Sequence, residues 1–210
     1  FHTNGFLDEN FDKLLDCNFL ERLNSLVELL SFDLGPSCRT VTYSKYGYVA
    51  QSPVFNKSQI FRVASKKIRY IRKYFKGLIS VENLDYHSSG AYEIVCIPQF
   101  ISEFVRKFDL CMTLDIGHAE VTCSNLAIDI LDYISELPLL NIVEVHLTRS
   151  IGGKDSHMLP CAKEYKLLDF ILKKACPKYI TLEYYRDSVN ALKGYNQLIS
   201  FMKKRGIYEN

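Results

Sequence analysis

The chain alternates short, near-continuous apolar runs with longer segments in which apolar residues recur every three or four positions. The short runs read as strands buried on both faces: Val27–Leu34, Leu78–Glu82, Cys111–Ile116, Ile142–Leu147 and Tyr179–Tyr184. The first of these also fits a partly helical reading, and Phe1–Thr3 reads as the end of a sixth strand. The longer segments read as helices. Ile60, Val63, Ile68, Ile71 and Phe75 form one apolar stripe; Phe100, Ile101, Phe104, Val105 and Phe108 form another after Pro98. Leu126 to Leu137, Leu167 to Leu172 and Leu192 to Met202 continue the pattern. Strand followed by helix, repeated, predicts a parallel sheet. Gly35–Ser37, Ser44–Pro53, Ser88–Gly90 and Ser150–Lys154 read as loops. None is long enough to be a linker, so residues 1–210 are expected to form one domain.

Four of the short runs close on a polar residue able to bind a metal: Glu82, Asp115, His146 and Glu183, spaced 31 to 37 residues apart. That spacing is one strand-plus-helix unit. Polar groups at the carboxyl ends of successive buried strands converge on one end of a parallel barrel. The expected fold is therefore an α/β TIM (β/α) barrel, incomplete here because fewer than eight strands are legible. The chain begins at Phe1 rather than Met and reads like a fragment whose first strand is not visible.

Composition narrows function by exclusion. Apolar residues make up 48% and charged residues 24%, as in ordinary globular proteins, and the net charge of +2 gives no global pull toward nucleic acid or anionic membranes. No apolar run approaches the roughly 20 residues that span a bilayer, and no signal peptide is visible. Seven scattered cysteines without a CxxC pair fit free thiols in a reducing compartment, so a cytoplasmic location is expected.

Two further motifs enlarge the strand-end quartet. LDIGHA places His118 three residues after Asp115, in what reads as the loop beyond the strand. KDSH places Asp155 and His157 on one face of an extended segment. Buried carboxylates need neutralising partners, and a metal neutralises several at once. Carboxylate and imidazole donors suit Zn, Fe or Mn.

As a set, SVEN (Glu82), LDIGHA (Asp115, His118), EVHL (His146), DSHMLP (Asp155, His157) and ITLE (Glu183) resemble the xylose-isomerase-like superfamily of TIM barrels, which includes endonuclease IV and sugar isomerases and epimerases. The resemblance implies the Glu-Asp-His-Glu quartet of single-metal epimerases, with the additional histidines of a multinuclear site. His2 and Asp33 then stand where two early histidines are expected, Asp33 as a departure. The chain is also similar, over nearly its whole length, to the multinuclear non-haem iron oxidative enzymes that modify cysteines in peptides. FHTNG, SFDL, ENLDY, LDIGH, VHL, DSH and LEYYRD carry that likeness, which departs at Asp33 and at His118, where Asn is usual.

The resemblances imply two or more divalent transition-metal ions held by His2, Asp33, Glu82, Asp115, His118, His146, Asp155, His157 and Glu183. Glu82 and Glu183 would bridge ions or act as proton-transfer bases. The leading expectation is a metal-dependent hydrolase or isomerase acting on a phosphorylated or sugar-like small molecule, with Lys154 and Arg149 near an anionic group. The alternatives are an iron enzyme modifying a peptide, a DNA-repair nuclease of the AP-endonuclease type, and a non-catalytic barrel that keeps the ligands for stability. The nuclease reading rests on the basic stripe Lys66, Lys67, Arg69, Arg72, Lys73 and Lys76, for which a solvated helix face is the favoured explanation.

Overall fold

The protein is described by a computed structural model at residues 1–3, 5, 7, 11, 15–44 and 47–207. Asn4 of FHTNG, and Lys45 and Tyr46 of the expected Ser44–Pro53 loop, lie outside the described residues. Six parallel strands form one curled sheet. Its order is β1 (His2–Thr3), β2 (Leu29–Asp33), β5 (Leu78–Glu82), β6 (Cys111–Asp115), β7 (Ile142–Leu147) and β10 (Tyr179–Leu182). The helices are α1 (Cys17–Leu23), α2 (Lys57–Tyr74), α3 (Pro98–Phe108), α4 (Ile116–Leu126), α5 (Ile130–Glu136), α6 (Ala162–Leu172) and α7 (Ser188–Lys204). Two hairpins, β3 (Val41–Ser44) with β4 (Gly47–Ala50) and β8 (Arg149–Ile151) with β9 (Lys154–Met158), stand apart from the sheet. This is the architecture of an incomplete TIM barrel.

The helices form where apolar periodicity and caps agree. In α2, Ile60, Phe61, Ala64, Ile68 and Ile71 are buried, and Asn56 and Gln59 cap its start reciprocally. In α3, Pro98 occupies the first turn, where its missing N–H costs nothing. Phe61 stacks on Phe100 and Phe104 at 5.6 and 5.8 Å, packing α2 against α3. The basic stripe is partly engaged within the fold. Arg72 donates to the carbonyls of Phe108 and Asp109, Lys76 to those of Arg72 and Lys73, and the Lys67 ammonium lies 4.4 Å from the Phe11 ring centroid. Among the described residues no helix is long and apolar enough to cross a membrane. All seven cysteines are free.

Curvature carries the last strand round toward the first. At the lower end of the sheet, the Tyr179 hydroxyl donates to Glu28 at 2.7 Å and Lys178 pairs with the same carboxylate, so the start of β10 meets the residue preceding β2. The interior floor is polar but satisfied: Thr113 shares hydroxyl contacts with Ser31 at 3.1 Å and Ser80 at 2.8 Å.

Three local expectations change. The helix expected from Leu126 to Leu137 is shorter: Leu126 ends α4, Ala127 takes the left-handed region (φ 54°), and α5 begins at Ile130. LDIGHA does not enter a loop: Asp115 accepts the His118 backbone N–H at 2.6 Å, and this cap starts α4 directly at the strand end. Ser44–Pro53 and Ser150–Lys154 contain hairpin strands rather than bare loops. Val27–Leu34 is a strand, trimmed to Leu29–Asp33, and Glu183 falls one residue beyond β10.

Asn83 joins two strand ends beyond the reach of the sheet ladder. Its side chain donates to the Asp115 carbonyl and accepts from the Asp115 N–H, both at 2.9 Å and fully buried. Asn83→Ala orphans both backbone groups, so chemical denaturation should show a loss of about 2–4 kcal/mol.

Candidate metal centre

The strand ends bring the expected ligands to one place. Glu82 ends β5, Asp115 ends β6, and His146 lies on β7 with its neighbours in register, Asp115 opposite His146 and His146 opposite Thr181. His2 and Asp33 arrive from β1 and β2, His118 from the first turn of α4, Asp155 and His157 from β9, and Glu183 from just past β10. The ring of β9 His157 is set by a strained backbone, φ 41°, and rests 4.8 Å from the Tyr185 ring.

Glu82 is the hub. One oxygen lies 3.5 Å from His2 Nδ1 and 3.4 Å from His146 Nδ1; the other lies 3.2 Å from His118 Nδ1. His146 Nδ1 also faces Asp115 and Glu183, both at 3.8 Å. Asp155 meets His157 at 2.5 Å and His118 at 3.7 Å, and Glu183 meets His157 at 3.5 Å. Two sets have donor atoms within 4.8 Å of one another: Glu82, Asp115 and His146, all buried, and His2, Asp33 and Glu82, which is more open.

Six donor atoms in this cluster are buried without a hydrogen-bond partner: Glu82 Oε2, Asp115 Oδ2, His146 Nδ1, Asp155 Oδ1, His157 Nδ1 and Glu183 Oε2. Buried polar atoms are rarely left unpaired. Orphans clustered at one point, all carboxylate or imidazole, are the donor set that suits a transition-metal ion. The residues present therefore fit the metals that the sequence implies.

Proton affinities carry the same message. Burial pushes the Asp115 carboxyl up to about 8, with the Glu82 and Glu183 charges adding to it and His118 opposing. Burial would lower His146, but its Glu144, Glu82 and Asp115 neighbours hold it up to about 11. Asp155 and Glu183 raise His157 to about 10. Burial would raise Glu82 and Asp155, yet facing imidazoles hold both below the usual carboxylate range. Without another cation, the cluster keeps protons to balance its charge.

A cleft of about 490 Å³ opens onto the cluster and shares Asp33, His118 and Asp155 with it. Tyr43, Tyr48 and Tyr92 line it, with Asp85 and His87 paired at 2.8 Å and Lys154 at the tip of the β8–β9 hairpin. Arg149 does not line this cleft. The hairpin docks on α4, where Glu120 accepts the Ser150 N–H at 3.1 Å and pairs with Lys163 at 2.6 Å. Gly117 permits that approach: a Cβ there would fall 2.6 Å from Thr148 and 3.0 Å from Ser150.

Sequence reasoning missed Asn83, Glu144 and the Asp85–His87 pair. Glu144 was findable, since it precedes His146 by two residues and must share its face of the strand. Asn83 follows Glu82 in SVEN, but nothing in the sequence marks its bridge to Asp115. His87 follows no strand end, and only the fold sets it against Asp85 on the cleft wall.

For Asp115, His146 and His157 the folded values lie above the unfolded ones. Their stabilisation is present at low pH and lost as pH rises through the folded values. The metal-free chain should lose thermal stability between about pH 6.5 and 11. Saturating Zn²⁺, which needs deprotonated ligands, should flatten or reverse that fall. Melting curves in chelator and in Zn²⁺ across this range give the check.

Comparison with known proteins follows the same line. The family described as RiPP precursor modification enzyme MbnB/TglH/ChrH matches residues 13–194. A UPF0276 protein of Acaryochloris marina is 22% identical over 134 residues, 63% of this chain and 49% of that protein, so the chain spans about half the length of this curated relative. A D-tagatose 3-epimerase-like protein superposes with TM-score 0.63 at 18% identity, covering 89% of this chain and 66% of that one. The 3-keto-D-glucoside 4-epimerase of E. coli gives 0.60 at 11% identity, covering 97% and 76%. These two likenesses agree with the barrel fold and, at these identities, speak for the fold alone.

Proposed function

The chain belongs to the family of RiPP precursor modification enzymes MbnB/TglH/ChrH, and on that premise we propose that it is a multinuclear iron enzyme that oxidatively modifies a peptide at cysteine. The observation that carries the metal reading is the convergence of six orphaned, buried donor atoms at the strand ends. Glu82, Asp115 and His146 would hold an inner ion, and His2, Asp33 and Glu82 an outer one, with Glu82 shared. His118, Asp155, His157 and Glu183 add donors on the opposite side of the same cluster. Iron bound there would supply Lewis-acid and redox chemistry to a substrate thiolate, a soft donor it accepts, with dioxygen as the oxidant.

The chain's own residues do the rest. The tyrosine-lined cleft offers apolar rings and hydroxyls to a peptide backbone, and the hairpin from Arg149 to Met158 contributes Gly152, Gly153, Lys154 and Asp155 to its wall. The Asp85–His87 pair sits on the cleft wall, where an imidazole oriented by a carboxylate can take up the proton that a thiol releases. Asp33, where a histidine is expected, shifts the outer donor set toward oxygen.

One observation favours a second reading. Glu82, Asp115 and Glu183 surround His146 Nδ1 at 3.4 to 3.8 Å. That quartet would suit a single-metal isomerase of a sugar-like substrate, with Glu82 and Glu183 exchanging protons. The DNA-repair reading gains no comparable support, since Arg72 and Lys76 of the basic stripe are committed to backbone carbonyls.

Protein purified without added metal should contain two or more iron ions per chain by elemental analysis, lost in Asp115→Ala. It should consume dioxygen when given a cysteine-containing precursor peptide. Manganese, no dioxygen uptake and interconversion of a ketose would favour the isomerase. A fully folded chain that binds no metal would overturn both.

A further inference from the structure

Glu144 lies on β7 two residues before His146, so strand pleating turns both side chains to one face. Its carboxylate is held from the neighbouring strand: the Thr181 hydroxyl of β10 donates to Glu144 Oε1 at 2.6 Å. The same oxygen lies 3.5 Å from His146 Nε2 and is the one carboxylate that faces that nitrogen among the described residues. The other ring nitrogen, Nδ1, is buried, unpartnered and surrounded by Glu82, Asp115 and Glu183. The two nitrogens thus have separate tasks.

We propose that Glu144, locked by Thr181, is a positioning residue that keeps the proton of His146 on Nε2 and presents the Nδ1 lone pair to the inner metal ion. A neutral imidazole carries one N–H and one lone pair, and the partner of the first decides where the second points. A carboxylate behind a ligating histidine fixes its tautomer and its ring orientation and strengthens its donation. Thr181 supplies the fixed anchor that Glu144 itself needs. This inference rests on His146 being a metal ligand.

The test uses the whole chain and Zn²⁺ alone, a diamagnetic probe. Affinity is measured by chelator competition. Glu144→Ala should weaken Zn²⁺ binding about ten- to a hundred-fold; Glu144→Gln, whose amide oxygen still accepts an N–H, should recover most of it; Thr181→Val should give a smaller loss. Nitrogen-15 spectra of the Zn²⁺-loaded wild-type chain should show His146 protonated at Nε2 and metal-bound at Nδ1, a readout independent of any variant's folding. His146→Ala separates the two layers. If it leaves Zn²⁺ binding intact, the reading of the site itself fails. If it abolishes binding while Glu144→Ala and Glu144→Gln both bind like wild type, or if zinc sits on Nε2, the positioning role alone is overturned.

Discussion

A carboxylate withdrawn from water must meet positive charge or pay heavily for its isolation. Glu82 and Asp115 are withdrawn almost completely, at 2% and 0% exposure, and the structure around them is organised by that fact. Histidines approach Glu82 from β1, β7 and α4. Asp115 spends one oxygen on the cap of α4 and leaves the other facing the cluster. Asn83 secures the Asp115 backbone so that the strand end cannot relax outward. Imidazoles alone do not discharge the debt: proton uptake by Asp115 near neutrality and the unpaired atoms on six donors mark what a metal would resolve.

Much of this was legible in the sequence because burial on both faces leaves a mark that alternation cannot hide. LISVE, CMTLD and IVEVHL are mostly apolar, and each carries a charged or imidazole residue, a ligand candidate, at or next to its carboxyl end. Less legible were features that depend on neighbours in space. The Asp115 cap turned an expected loop into a helix, a choice made by one side-chain oxygen. The strands of the two hairpins are only three to five residues long, too short to show a periodicity of their own. The bond of Thr181 to Glu144 crosses 37 residues of sequence and is written in neither segment alone.

Family membership and barrel likeness constrain different things. The barrel is shared with a D-tagatose 3-epimerase-like protein and a 3-keto-D-glucoside 4-epimerase, and at identities below 20% it speaks for the fold alone. The family match over residues 13–194 speaks for descent, placing the chain among the RiPP precursor modification enzymes MbnB/TglH/ChrH. At the edges of the cluster stand Asp33, bound to His2 at 3.1 Å on its open side, and His118, which reaches both Glu82 and Asp155.

Helix α4 serves as a ruler between two groups of ligands. Its first turn is fixed to Asp115, and Glu120, five residues on, grips Ser150 at the root of the hairpin that carries Asp155 and His157. Each residue advances a helix by about 1.5 Å and 100°. One residue inserted or removed between Asp115 and Glu120 would therefore swing the hairpin ligands out of reach of the strand-end ligands. The helix ends at Leu126, where Ala127 turns the chain away. Length variation among descendants of this chain should thus be purged from the first half of α4 and tolerated in the turn that follows it.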